Sequence, residues 1–191
     1  MKSLEDIVFV RTSHVCPWWL CWSFDNMIRK AFHNPYRILS QHIRKGDTVV
    51  DIGCGMGYFS IPMALMVGQQ GKVVAIDLQK QMLDKVKKRA EKAGVTDRIV
   101  TQQASKTSLV VQTKADFALA FWMIHEVPDR QKFLSEIRSL LKKGGKLLIV
   151  EPRIHVSKMC FQETLKIAEQ SGFKRLTNHK ILFSYACLFE N

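Results

Sequence analysis

The stretch VVDIGCGMGYFS, residues 49–60, sets glycines at 53, 55 and 57 directly behind an apolar run that carries an acid, Asp51. Glycine at alternate places strips every Cβ from the inner side of a turn and admits positive φ, so a ligand can press directly on the backbone there. Before the glycines lies a run of strand length, TVVDI. After them an amphipathic pattern runs from Tyr58 to about Val67. The stretch therefore predicts a strand, a ligand-facing turn and a helix in succession.

The same alternation continues outward. KVVAID ends at Asp77 and is followed by an amphipathic helix over residues 80–92 that stops at Gly94. RIVTQ begins at Arg98 and ADFALAFW at Ala115. A helix from about Asp129 to Lys142, closed by KKGG, leads into KLLIVEP, which ends at Pro152. Strands alternating with helices predict an α/β fold with a parallel, doubly wound sheet, because parallel strands cannot be joined by tight hairpins. The near-continuous apolar runs FALAF and KLLIV fit strands covered on both faces. After a last helix at about residues 157–171, FKRLTN and ILFSYACLFE are separated by too few residues for a crossover. They are expected to pair antiparallel at one edge of the sheet.

At 191 residues the chain suits one domain, divided into an N-terminal helical extension or lid over residues 1–45 and a catalytic core over residues 46–191. No apolar run approaches the roughly 18 to 20 residues that span a bilayer, and the first residues lack the basic flank of a signal peptide. Five cysteines at scattered positions include no C-x-x-C pair, so no metal site and a reducing, cytoplasmic setting are expected. The net charge of +12 is spread along the chain without a basic tail. The densest basic stretch, residues 80–92, has Met82, Leu83, Val86 and Ala90 at helical spacing, which makes its lysines the solvated face of a helix rather than a nucleic-acid contact.

The details around the glycines bear on the ligand. A dinucleotide fingerprint wants a small residue where Tyr58 stands, and a pyrophosphate is repelled by Asp51. A ligand bearing ammonium and sulfonium charges is favoured by that carboxylate. Asp77, at the carboxyl end of the second strand, can accept both vicinal hydroxyls of a ribose.

In VVDIGCGMGYFS, VVAIDLQKQML, ADFALAFWMIHEVPD and LLKKGGKLLIVEP, taken in this order and spacing, the chain resembles the class I S-adenosylmethionine-dependent methyltransferases. The resemblance spans about residues 47–189. It implies a three-layer, Rossmann-like sheet of seven strands with the last antiparallel and S-adenosylmethionine across the first two strand ends. It implies that Asp51 and the backbone of Gly53, Cys54 and Gly55, with Gly57 in the same turn, hold the methionine part. Asp77 would then hold the ribose, with Leu78 and Met82 beside the adenine and Trp122 bordering cofactor and acceptor. Many relatives bind the adenine amino group through an acid after the third strand. VTQQASKTS has none, which leaves Gln103 or the backbone of Ala104 and Ser105.

Methyl transfer from a sulfonium needs mainly alignment and a dry pocket. Trp18, Trp19 and Trp22 in PWWLCW either form a lid over the reacting groups or pack a helix onto the sheet. His125 is the candidate base and Glu126 a candidate acceptor contact. Cys16 and Cys21 raise arsenic(III) as an acceptor, on weak spacing. A small-molecule acceptor is the expected partner, with RNA or protein acceptors, or a non-catalytic S-adenosylmethionine-binding module, as alternatives. No membrane partner is expected, and the chain is expected to be a monomer or a homodimer.

Overall fold

The computed structural model describes residues 32–105, 108, 109 and 113–191. The helix α1 (Pro35–Leu39) opens at Asn34, whose side-chain oxygen accepts from the N–H groups of Tyr36 and Arg37, with Pro35 in the first helical position where its missing N–H costs nothing. The chain continues through β1 (Thr48–Ile52), α2 (Ser60–Val67), β2 (Lys72–Asp77), α3 (Lys80–Ala93), β3 (Ile99–Gln103) and β4 (Ala115–Phe121). Then come α4 (Arg130–Leu140), β5 (Leu141–Pro152), α5 (Lys158–Gln170), β6 (Lys174–Asn178) and β7 (Ser184–Glu190).

The described residues form a seven-stranded sheet in the order β3-β2-β1-β4-β5-β7-β6. The strands β1 to β5 pair parallel with one another, and β7 is antiparallel to both β5 and β6. Alternation along β1 sends Val50 and Ile52 to one face, where Leu134 and Ile137 of α4 and Phe161 and Leu165 of α5 cover them. It sends Val49 to the other, against Met63, Ala64 and Val67 of α2. Met82, Leu83, Val86 and Ala90 are the buried positions of α3, so its lysines lie on the outer face as expected. Gly94 closes that helix in the left-handed conformation, at φ 66°.

Two boundaries differ from the sequence expectation. The helix expected to reach Lys142 ends at Leu140, because Leu141 pairs with Ala115 and the segment 142–145 bulges before Lys146 rejoins the ladder opposite Phe117. The second helix begins at Ser60 rather than Tyr58, since the glycine turn occupies the intervening residues. The last two strands pair antiparallel at one edge of the sheet as expected, with β7 inside and β6 outermost. Residues 1–31, and with them Trp18, Trp19, Trp22, Cys16 and Cys21, lie outside the described residues. No helix among the described residues is long and apolar enough to cross a membrane.

On the α2 face the ring of His42 stacks on Phe117 at 5.6 Å and meets His179 edge-on at 5.0 Å. The Nε2 atoms of both histidines are buried with no hydrogen-bond partner among the described residues. Burial, then the charges of His179 and Lys146, push His42 from its ordinary 6.5 down to about 4. Burial lowers His179 as well. The unfolded chain takes up a proton at His42 below pH 6.5 that the folded chain refuses until about pH 4, so stability present above 6.5 is lost as the pH falls through that window. His42→Phe keeps the stacking and removes the titration. Its melting temperature is expected to fall less between pH 7 and pH 4.5 than that of the wild type, in thermal melts read by circular dichroism.

Candidate active site

The chain runs outward from β1 through β2 to β3, then returns to the other side of β1 as β4. The reversal leaves a crevice at the carboxyl ends of β1 and β4, which is where open α/β sheets take their ligands. A cleft of about 340 Å³ occupies that place. Its floor is Ile52, Gly53, Gly55 and Ile76. Asp77, Leu78, Gln79 and Met82 form one wall, and Trp122, Met123 and Glu126 another.

All three glycines of the turn have positive φ, but they serve different ends. A Cβ on Gly53 would fall 2.9 Å from Cγ of Met123, and one on Gly57 would fall 3.2 Å from Cγ2 of Val86 on α3. Those two let neighbouring elements close in. Gly55, at φ 52°, has nothing within 4 Å of its Cβ position, so its bare face opens to the cleft.

Asp77 is tied to this turn. Its carboxylate accepts the N–H of Gly55 at 3.0 Å and that of Gln79 at 2.9 Å. Burial raises its pKa, while the N–H groups of Gln79, Gly55 and Leu78 pull the other way. A carboxylate offers about four lone-pair sites, so Asp77 retains capacity for hydroxyl donors from the cleft. Asp51, by contrast, is 2% exposed and is not part of the cleft wall. It accepts the hydroxyl of Ser60 at 2.5 Å, which ties β1 to the first residue of α2 behind the turn. Cys54 points away from the cleft, among Ala75, Leu83 and Val86, and its N–H is used by the carbonyl of Ile76. Burial, with Asp51 and Asp77 adding to it, holds its thiol well above the usual range.

The segment after β3, expected to meet the adenine, is itself hydrogen-bonded. The N–H of Ala104 donates to the carbonyl of Asp77 and that of Ser105 to Ser108, so neither backbone donor is open. Gln103 donates its amide to the carbonyl of Leu78 and does not line the cleft. Ala104 and Ser105 do line it, together with Ser108, Leu109, Lys132 and Phe133. Glu136 also reaches this wall, and its carboxylate accepts the N–H of Leu109 at 2.8 Å, fixing the segment after β3 to α4. Sequence reading missed Glu136 because it stands 27 positions from its partner on a different element.

The turn after β4 holds the other expected residues. Trp122 has φ 60°, an uncommon conformation for a side-chain-bearing residue, and is pinned by its N–H to Val150 and by its indole N–H to Ser184 at 3.0 Å. Glu126 lines the cleft, whereas His125 does not. The His125 ring is 24% exposed and its Nδ1 lies 2.5 Å from Oε2 of Glu151, at the end of β5. Glu151 was not singled out in the sequence, and its only signal there was an acid near the end of an apolar run of strand length.

The residues present suit an adenosyl ligand: a hydroxyl acceptor at Asp77, open backbone at Gly55, and apolar surface from Leu78 and Met82. The family described as "Methyltransferase domain" matches residues 43–181. A curated ubiquinone/menaquinone biosynthesis C-methyltransferase, UbiE of Francisella tularensis subsp. novicida (strain U112), is 31% identical over 140 residues, 73% of this chain and 54% of that protein. The chain thus spans about half the length of the curated relatives it matches. Among solved structures, a SAM-dependent methyltransferase from Aquifex aeolicus superposes with a TM-score of 0.82 at 21% identity, over 92% of this chain and 99% of that one. Aeropyrum pernix fibrillarin, solved with natively bound S-adenosyl-L-methionine, gives 0.62 at 13% identity, over 78% of this chain and 68% of its own. These likenesses show the fold. With the domain match over most of its length, the chain belongs to the class I S-adenosylmethionine-dependent methyltransferases.

Proposed function

We propose that this protein transfers a methyl group from S-adenosylmethionine to a carbon atom of a small, largely apolar acceptor with an ionisable hydroxyl. The observation that carries the proposal is the junction of two half-sites at the reversal point of the sheet. Gly55 and Asp77 suit the donor, and the strained Trp122 turn with Glu126 suits an acceptor. The printed activity of the curated relatives, C-methylation in quinone biosynthesis, supports carbon as the methylated atom.

When bound, S-adenosylmethionine supplies an electrophilic methyl on a positively charged sulfur. The residues of the chain do the rest. Asp77 accepts from the ribose hydroxyls, and Leu78 and Met82 offer apolar surface to the adenine. Asp51 acts from behind, holding the glycine turn through Ser60. Trp122 and Met123 exclude water from the junction, which suits a displacement that needs alignment more than acid catalysis.

The test is incubation with methyl-labelled S-adenosylmethionine and a panel of hydroquinones and phenols that lack a ring methyl, with products read by mass spectrometry. Label on a ring carbon of any of them supports the proposal. Label confined to added tRNA or protein, or binding of the cofactor with no transfer at all, would replace it with one of the other two roles.

A further inference from the structure

The segment after β3 brings no acid to the cleft, but α4 does. Glu136 is half-buried on that helix and lines the cleft beside Leu109 and Phe133. Its Oε2 accepts the N–H of Leu109 at 2.8 Å, and no described residue donates to its Oε1. The other carboxylates that line the cleft, among the described residues, lie elsewhere. Asp77 holds the glycine turn, Glu126 belongs to the Trp122 turn, and Asp129 caps α4 through the N–H of Lys132.

Asp77 ends β2, with β1 and β4 on one side of it and β3 on the other. A nucleoside whose ribose meets Asp77 and whose sulfur end reaches the Trp122 turn must lay its base toward the β3 side. There Leu78, Ala104, Leu109 and Phe133 give it an apolar bed. The amino group of adenine is a donor and needs an acceptor at the edge of that bed. The neighbouring polar groups are already engaged. Gln103 donates to the carbonyl of Leu78, the N–H of Ala104 to that of Asp77, and Ser105 and Ser108 bond to each other.

We propose that Glu136 reads the adenine base: its open Oε1 accepts from the amino group, so that α4 supplies the acid which many relatives carry after the third strand. Glu136 is then a specificity-determining residue for the cofactor. A purine with oxygen in place of the amino group sets an acceptor against the carboxylate and is rejected. A site built for one hydrogen-bonding pattern discriminates against the inverse pattern because its own polar groups are left unpaired. The assignment concerns the methyl donor and is independent of which acceptor takes the methyl group.

The test is calorimetric titration with S-adenosylhomocysteine and with S-inosylhomocysteine, in which oxygen replaces the amino group. Wild type is expected to favour the adenosyl ligand about 30-fold, the effect of one hydrogen bond to a charged acceptor. Glu136→Gln is expected to reverse that order. The N–H of Leu109 keeps the amide oxygen at the Oε2 place, which leaves the NH₂ group at the open place. That group opposes the amino group of adenine and matches the oxygen of the inosyl ligand. Asp77→Ala is the control. Both ligands carry the same ribose, so both are expected to weaken with their ratio kept.

Reversal in Glu136→Gln, or loss of the preference with the inosyl ligand unweakened, upholds the proposal. Equal affinities for the two ligands in wild type overturn it without any variant. So does equal weakening of both ligands in Glu136→Gln, which would make Glu136 a tie for the Leu109 segment and nothing more. If Glu136→Gln does not fold, Glu136→Ala decides: collapse of the preference upholds the reading of the base, and a preserved preference removes it. Failure of every acceptor to be methylated would count against the proposed function and leave these affinities standing.

Discussion

Asp77→Ala is expected to weaken S-adenosylmethionine binding about 100-fold in calorimetric titration, with a parallel loss for S-adenosylhomocysteine. A hydrogen bond to a charged acceptor contributes about 1.5–3 kcal/mol, and each 1.4 kcal/mol is about tenfold in affinity. Loss of one strong bond, or of two ordinary ones, reaches that figure. The substitution also frees the N–H groups of Gly55 and Gln79, which now rest on the two carboxylate oxygens. A modest drop in melting temperature is therefore expected in the ligand-free protein. Asp77→Asn separates the two effects, since its single carbonyl oxygen has two lone pairs where the carboxylate has about four and keeps only part of the set. It is expected to bind with intermediate affinity. Equal affinity in wild type and Asp77→Ala would show that the cleft does not use the carboxylate for its ligand.

Gly71→Ala is expected to do the opposite. Gly71 is buried where α2 hands over to β2, at the amino end of the sheet and away from the cleft. A Cβ there would lie 2.3 Å from Cβ of Val67 and 2.8 Å from the carbonyl oxygen of Asp47. One neighbour is the root of a side chain and the other is backbone that accepts the N–H of Lys72 at 3.0 Å, so neither yields by rotating a flexible tip. Overpacking of this kind costs about 3 kcal/mol or somewhat more. For a chain of this size that is a fall of roughly 6–12 °C in melting temperature. The folded fraction should bind S-adenosylmethionine with wild-type affinity. A melting temperature within about 2 °C of wild type would mean that the α2 to β2 turn adapts more easily than its contacts indicate.

The two variants separate features that sequence reading treats alike, because a glycine in a turn looks the same whether its bare face meets a ligand or a neighbouring helix. Of the three glycines in residues 49–60, only Gly55 has an open Cβ direction. Gly53 and Gly57 are required by Met123 and Val86. Periodicity and punctuation sufficed to anticipate the strands, the helices and Asp77 at a strand end, since each of those depends on a few adjacent residues. They did not anticipate that Asp51 would turn to Ser60, or that the N–H groups of Cys54, Ala104 and Ser105 would already be engaged.

The sequence by itself determined the alternation of strand and helix, the ligand-accessible turn and the acid beside it. Backbone sterics and burial patterns of that kind are written over stretches of ten or fifteen residues. Tertiary structure alone decided that β7 inserts between β5 and β6. It alone brought Glu151 beneath His125 from 26 positions away. Hydrogen-bond partners across a sheet follow from strand order and register, and these emerge only when distant segments compete to bury the same apolar faces.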